Sequence, residues 1–570
     1  MKAWLVLRND PEEKASNNPG RGHASDATTA DMHRALFIHE VVQRIFLGLD
    51  QPSSDLVSCL LTCKTWSEIA LDAIWATITD LDVVLRTIPC YEPIADGSWT
   101  FSRNPTEVEW THFQDYSRRV RTLNLEHRPP GGFRGDVFQV LHARAAFISP
   151  NQFLFPRIQH LQFDINPGQL PARWAKIFLS PQLKSLIIDR ENHDNHPNAA
   201  VDLEHFFRAL HAVRARGLSE IHAPILSTPI LGLIIGFSSA ESLQSLEISM
   251  CQDVFAHGDQ ETHAVHLVRY AWMIPALQHL VVDLHRAIKP SRVGPVPPEV
   301  LAAERRRCTV RRLDLRGHIT TLSYLSCFLP DTEELLLDFQ GRADSPAVWS
   351  YLLQHVLQRR TGRLSLLAFL ISSKRQEPIT ADPFMQMNQF HTVRKLVINA
   401  PIVWTDTVID CLARSCPALT HVNLLWLTYD VQRDDDPRLS GASLKSFALR
   451  CGSLSALAIG VDPRLVSMND LDLPAGFRGN AGLSKLRLDT WFFDDEDEDP
   501  VQFAAVLDRL FPRLGAFTFM IPDSVAYPEE YEESTEVTQK VIEGVRALQQ
   551  ARGVPPQDII GDDIEPEDWY

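Results

Sequence analysis

The sequence predicts an α/β protein in two parts. A small helical unit near the N-terminus precedes an irregular solenoid, whose strands line a curved parallel sheet with helices on its convex side. Three observations predict this. Residues 34–80 carry apolar side chains at helical spacing. From residue 120 the pattern apolar-x-x-apolar-x-apolar recurs fourteen times, the last copy starting at 514, a mean period of about 30 residues. The composition is that of a globular chain with room for a sizeable core: 45% hydrophobic and 22% charged over 570 residues. Its 37 prolines argue for many short elements separated by turns.

Residues 1–33 lack sustained periodicity and are expected to be disordered. Over 34–80, Val41, Val42, Ile45, Phe46 and Leu49 fall on one helical face. Pro52-Ser53-Ser54-Asp55 reads as a turn with an N-cap, and a second helix follows with Leu56, Val57, Leu60 and Leu61. A third, from near Ser67, carries Ile69, Ala70, Leu71, Ile74 and Trp75. So small a unit is marginal alone and calls for a partner surface or a neighbouring domain. Residues 81–115 are expected to be a linker, 116–524 the solenoid, and 525–570 an acidic tail. In the tail, Val537, Val541, Val545 and Leu548 predict a helix over 535–551, suited to capping the open end of the solenoid.

The repeat is clearest at Val120/Leu123/Leu125, Leu183/Leu186/Ile188 and Val393/Leu396/Ile398, and weaker from Leu218 and Thr332. Two copies match nearly letter for letter, Ile409 to Leu424 and Leu444 to Ile459. They align Cys416 with Cys451, each just before a Pro or Gly that stops a helix. A short helix, a stop and a strand is the unit of a leucine-rich solenoid. One such unit cannot bury its apolar face alone, so stacking is obligatory.

The helical unit resembles an F-box. The resemblance rests on Leu36, Glu40, Val41, Ile45, Phe46, Leu49, Asp55-Leu56, Cys63-Lys64, Trp66, Leu71 and Trp75, in order and at fitting spacing over about 45 residues. The tract Trp110 to Leu125 is similar to the segment after the F-box in many fungal-type F-box proteins. Where the family has a proline before the glutamate, this chain has His39, which removes a fixed φ at a helix start. The resemblance implies docking on a Skp-type adaptor and, through it, a cullin–RING ubiquitin ligase. It assigns Leu36, Ile45, Phe46, Leu56, Cys63, Trp66 and Trp75 to adaptor contact or its supporting core, since a small aromatic-centred patch supplies most of an interface's energy. A helical bundle that only caps the solenoid remains the alternative.

The solenoid then reads as the arm that binds an unknown protein substrate. Residues alternating with the buried ones line the concave face. That rule selects Arg312, Asp314 and Arg316, then Lys395 and Asn399, then His421 and Asn423, then Lys485, Arg487 and Asp489, with Trp426 and Trp491 nearby. Charges with aromatics on such a face suit a peptide or phosphopeptide, although every repeat must expose something polar there. Arg305-Arg306-Arg307 with Arg311, Arg312 and Arg316 reads either as a site for an acidic degron or as a solvated loop. His193 and His196 lack further ligands, and Cys59 and Cys63 read as packing residues, so neither metal nor cofactor is expected. No nucleophile elbow, phosphate loop or zinc-protease motif occurs, and no enzyme is expected.

The net charge of −17 lies almost wholly in Asp494–Asp499 and in residues 522–570, which hold thirteen acids against three bases. The body is nearly neutral, and neither part offers the basic footprint of broad nucleic-acid binding. No apolar run reaches the length of a membrane span, the N-terminal run is too short for a secretory signal, and nine scattered cysteines suit free thiols. The expected setting is cytoplasm or nucleus. The whole reads as the substrate receptor of a Skp–cullin–F-box ligase, or alternatively as a scaffold acting outside one.

Overall fold

A computed structural model describes residues 39–47, 54–95, 97–125, 135–147, 153–164, 172–189, 199–225, 228–236, 242–250, 271–272, 274–284, 309–326, 329–340, 346–357, 363–371, 379–386, 390–425, 439–462, 465–468, 471–489, 500–520 and 528–554. The chain divides into two compact units, Met1–Ala76 and Thr77–Tyr570.

The first unit holds three helices, His39–Leu47, Ser54–Thr62 and Lys64–Ile74. The first two each pack on the third. Of the residues that the helical spacing selects, Val42, Phe46, Leu56, Leu60, Ile69, Ala70, Leu71 and Trp75 are buried, whereas Ile45, Val57 and Leu61 are exposed. Phe46 meets Trp66 edge to face, ring centres 5.7 Å apart.

The second unit is built on a sheet. Its first strands are β1 (Thr77–Ile78), β2 (Tyr91–Pro93), β3 (Trp99–Phe101), β4 (Thr122–Asn124), β5 (His160–Asp164), β6 (Ser185–Asp189), β7 (Glu220–Ile225), β8 (Ser245–Met250) and β9 (His279–Leu284). Then come β10 (Arg312–His318), β11 (Glu334–Gln340), β12 (Leu366–Ile371), β13 (Ile379–Thr380), β14 (Lys395–Asn399), β15 (Ile402–Val403), β16 (His421–Asn423), β17 (Ala456–Gly460), β18 (Lys485–Asp489) and β19 (Ala516–Met520). Fifteen of these form one parallel sheet in chain order from β1 to β19, while β2 pairs with β3 and β13 with β15 in two small sheets. A strictly sequential parallel sheet with helices between its strands is a solenoid.

The register explains the repeat. The middle apolar residue of each copy pairs with its equivalent, so that Leu280, Leu313, Leu335, Leu367, Leu396, Val422, Leu457, Leu486 and Phe517 stand in one buried column. Burying each such side chain contributes roughly 1.5–3 kcal/mol. Next to this column the backbone links repeat to repeat. The Gln278 carbonyl accepts from the N–H groups of Arg311 and Arg312, the Arg311 carbonyl from Glu333 and Glu334, and the Glu333 carbonyl from Ser365 and Leu366. Where this position is Ser or Thr the hydroxyl adds a third bond, as Ser365 Oγ does to Glu333 O at 2.9 Å and Ser455 Oγ to Thr420 O at 2.8 Å.

Alternation along a strand then separates two faces. In β11, Leu335, Leu337 and Phe339 are buried, and Phe339 meets Trp349 of helix Pro346–Leu357 with ring centres 4.7 Å apart. Glu334, Leu336, Asp338 and Gln340 on the other face are half-buried. The two letter-matched copies place helices Asp406–Ser415 and Gly441–Arg450 against each other, ending at Cys416 and Cys451. Asp406 accepts from Ser440 N, Ser440 Oγ and Ser443 Oγ, and Asp410 pairs with Arg414 and Arg450. Burial pushes the thiols of Cys416 and Cys451 up to about 12, which keeps them protonated packing groups.

Residues 81–115, expected as a linker, are folded and belong to the second unit. The β2–β3 hairpin and helix Glu107–Ser117 join through an aromatic chain, with Tyr91 on Trp99 and Phe101, Phe101 on Trp110, and Trp110 on Phe113, and helix Leu81–Leu85 packs on helix Glu107–Ser117. Thr106 and Glu109 form a capping box at the start of the second helix. The sheet also begins earlier than expected, at β1, whose Ile78 pairs with Leu123 of β4. At the other end, helix Pro528–Ala551 packs on helix Pro500–Leu510 and against β19. Val541, Ile542 and Val545 are buried there, and Gln549 Nε2 donates to Leu514 O at 3.0 Å.

Candidate functional site

The residues assigned to adaptor contact separate by burial. Phe46, Leu56 and Trp75 are buried and form supporting core. Trp66 is half-buried against Phe46, and Cys63 is exposed at the N-cap of helix 64–74. Ile45 is 47% exposed, and Leu36 lies outside the described residues. Two further residues, read from the sequence only as part of the second helix's apolar face, reach the surface: Val57 is 41% and Leu61 68% exposed. They stand one helical turn apart, about 100° round the helix from the buried pair Leu56 and Leu60. A helix of this length needs one apolar stripe to pack, and a second stripe facing water is the signal that marks an interface. Covering apolar surface is worth roughly 25 cal/mol per Å².

The sheet residues also separate. Arg312, Asp314 and Arg316 sit in a self-compensated region. Asp314 is buried and receives Arg312 Nε and Nη2 at 3.2 and 3.1 Å, while Arg316 lies in register between Asp283 and Asp338. Burial pushes the Asp314 carboxyl up, but His279 and Arg312 outweigh it and hold it below the ordinary carboxylate value. Farther along, the register brings Lys395 beside His421, and places Ala456 between His421 and Lys485. One step on, Asn423, Ala458 and Arg487 form the next row. Asn423 Oδ1 accepts from Leu425 N at 3.1 Å, so its amide oxygen serves the local turn. Burial, then the charges of Lys395 and Lys485, hold the His421 imidazole below its ordinary value. Asn399 and Asp489 lie in the third row. Trp426, Trp491, Arg305–Arg307 and His193–His196 lie outside the described residues.

The register aligns Ser245, His279 and Arg312 on β8, β9 and β10, and the Asp314 carboxylate, one row on, reaches toward His279. Ser245 Oγ is 3.4 Å from His279 Nδ1, and His279 Nε2 is 3.8 Å from Asp314 Oδ2. The second distance exceeds a hydrogen bond, and Arg312 already occupies both Asp314 oxygens. Ser245 and His279 thus stand in register across β8 and β9 as a polar contact between repeats. Among the described residues no group of three or more His, Cys, Asp or Glu could hold a metal ion, and no helix is long and apolar enough to cross a membrane.

No curated protein sequence matches the chain. Among solved structures, the crystal structure of a Rad7 and Elc1 complex in yeast is similar at 17% identity and a TM-score of 0.31, covering 64% of this chain and 80% of that chain. At that score the likeness bears on neither fold nor function. Residues 39–80 match the F-box-like family model, and the chain carries an F-box-like domain there.

Proposed function

We propose that this chain is a non-catalytic substrate-recognition subunit of a Skp–cullin–F-box ubiquitin ligase. The observation that carries this reading is the F-box-like domain at 39–80, with Ile45, Val57 and Leu61 exposed on helices whose other faces are buried. These side chains, with Cys63 and the edge of Trp66, offer the apolar anchors a Skp-type adaptor would bury. The solenoid, read as a leucine-rich repeat of fungal F-box type, holds the target on the polar face of its sheet. The role is positional: binding raises the effective concentration of a target lysine near the ubiquitin-loaded enzyme. The chain acts in the cytoplasm or nucleus.

The test is reconstitution. The purified chain, a Skp-type adaptor and a cullin–RING pair are mixed and resolved by size exclusion. The reading predicts one complex containing all four, with the cullin retained only when the adaptor is present. A complex with the adaptor that excludes the cullin would instead make the chain a scaffold outside a ligase.

A further inference from the structure

One strand breaks the rule that each repeat turns polar residues to the face opposite the buried column. In β12, Leu367, Phe369 and Ile371 point into the core, so Leu366, Ala368 and Leu370 line the other face. Its neighbours are mixed on that face: β11 presents Glu334, Leu336 and Asp338, and β14 presents Lys395, Val397 and Asn399. Strand β17 also lacks polar side chains there, but with Ala456, Ala458 and Gly460 it offers little apolar surface. Apolar side chains left partly open on a polar face mark a place of contact.

The register closes these side chains into a frame. Ala368 stands between Leu336 of β11 and Val397 of β14, about 4.8 Å to either side, with Leu366 and Leu370 about 6.8 Å before and after it on its own strand. Its methyl group is the smallest of the five side chains, so the frame has a depression at its centre. Ala368 and Val397 are each 2% exposed and form the floor, whereas Leu336, Leu366 and Leu370 are half-buried and form the rim. These five side chains offer a water molecule no polar partner, which favours an apolar occupant. The charges beside the frame differ by side. On β11, Glu334 pairs with Arg312, and Asp338 stands in register with Arg316. On β14, Lys395 has Leu366 and His421 as its neighbours in register and makes no ion pair among the described residues. By strand and row spacing Lys395 lies about 8 Å from Ala368.

We propose that this depression takes one bulky apolar side chain of the target, of phenylalanine or leucine type, from an extended segment that carries an acidic residue two positions away. Side chains two apart on an extended segment stand about 6.8 Å apart on one face, which sets the acidic group over Lys395 when the apolar one fills the frame. The apolar side chain supplies the affinity, and the lysine fixes the register. This inference rests on the reading of the sheet as the target-binding arm.

The experiment measures binding of the full chain to three fluorescein-labelled ten-residue peptides by anisotropy. The first carries Phe-Ser-Glu in a Gly-Ser background, the second has Ala for the Phe, and the third has Gln for the Glu. The expected result is binding of the first about tenfold tighter than the second and about threefold tighter than the third. Ala368→Met fills the depression and loses roughly tenfold for the first peptide, while Ala458→Met, in the same row on β17, leaves its affinity unchanged. Lys395→Gln removes the difference between the first and third peptides. Should Ala368→Met lower the melting temperature, Leu366→Gln on the rim decides instead, with the same loss expected. No binding of the first peptide, equal affinity for the first and second, full affinity in the folded pit variant, an equal loss in Ala458→Met, or an unchanged Glu preference in Lys395→Gln overturns the proposal. Adaptor binding is measured on the same preparations. Absence of the Phe preference with the adaptor and cullin retained refutes only this inference. A Phe preference in a chain that binds no adaptor refutes only the ligase reading.

Discussion

Gly317 shows how much one residue can carry inside the sheet. It lies on β10 with φ +153, and a Cβ built there would stand 2.5 Å from the Leu284 carbonyl oxygen of β9. Backbone cannot yield as a flexible side chain can, so Gly317→Ala is expected to cost about 1–3 kcal/mol and lower the melting temperature by several degrees. Thermal unfolding followed by circular dichroism checks this. His421 carries a pH dependence. Lys395 on β14, Lys485 on β18 and the Thr420 hydroxyl surround it, and burial and the two lysines hold its pKa below the ordinary 6.5. The unfolded chain therefore takes up this proton at higher pH than the folded one, so the stability is fully present above 6.5 and is lost as the pH falls from there through the lower folded-state value. His421→Gln should flatten the stability profile between pH 7 and pH 5, as denaturant midpoints would show. At this scale legibility was uneven. The alignment of Cys416 with Cys451 was readable because both end matched helices. The need for glycine at 317 was not, because it arises from a neighbouring strand 33 residues away in sequence.

Strands were legible because each must bury the same three positions, and a register repeated from β4 to β19 leaves its period in the sequence. The folded segment 81–115 had no such signal. Tyr91, Trp99, Phe101, Trp110 and Phe113 hold it through ring contacts that follow no fixed spacing. Helix 54–62 misled in another way. Leu56, Val57, Leu60 and Leu61 look like one broad core face, yet the helix buries only Leu56 and Leu60. The helix expected over 535–551 runs from 528 to 551, with Val541 and Val545 buried, Leu548 half-buried and the side chain of Val537 outside those described. Its packing on helix 500–510 is close enough that a Cβ at Gly544 would sit 2.8 Å from Ala504 Cβ. Val545→Asp should therefore destabilise the chain by about 2–5 kcal/mol, because it removes a buried side chain and desolvates a charge. Glu543→Ala, on the exposed side, should change stability by less than about 0.5 kcal/mol. Denaturant titration of the two variants side by side decides whether this helix closes the end of the solenoid.

For the molecule as a whole, the two compact units divide two kinds of surface. The first presents apolar residues on short helices, and the second a sheet face of half-buried polar residues. Such a division predicts that the surfaces fail separately. Substitutions on the helical unit should leave peptide binding by the sheet intact, and substitutions on the sheet should leave adaptor binding intact. The central claim is that the exposed residues of the F-box-like domain form an adaptor interface. Isothermal titration of a purified Skp-type adaptor into the full chain tests it most directly, comparing the native chain with Val57→Asp, Leu61→Asp. These positions are exposed, so the variant should keep its melting temperature. The account predicts one-to-one binding by the native chain and a loss of at least about 2 kcal/mol in the folded variant. Equal binding by both, or no binding by the native chain, would contradict it.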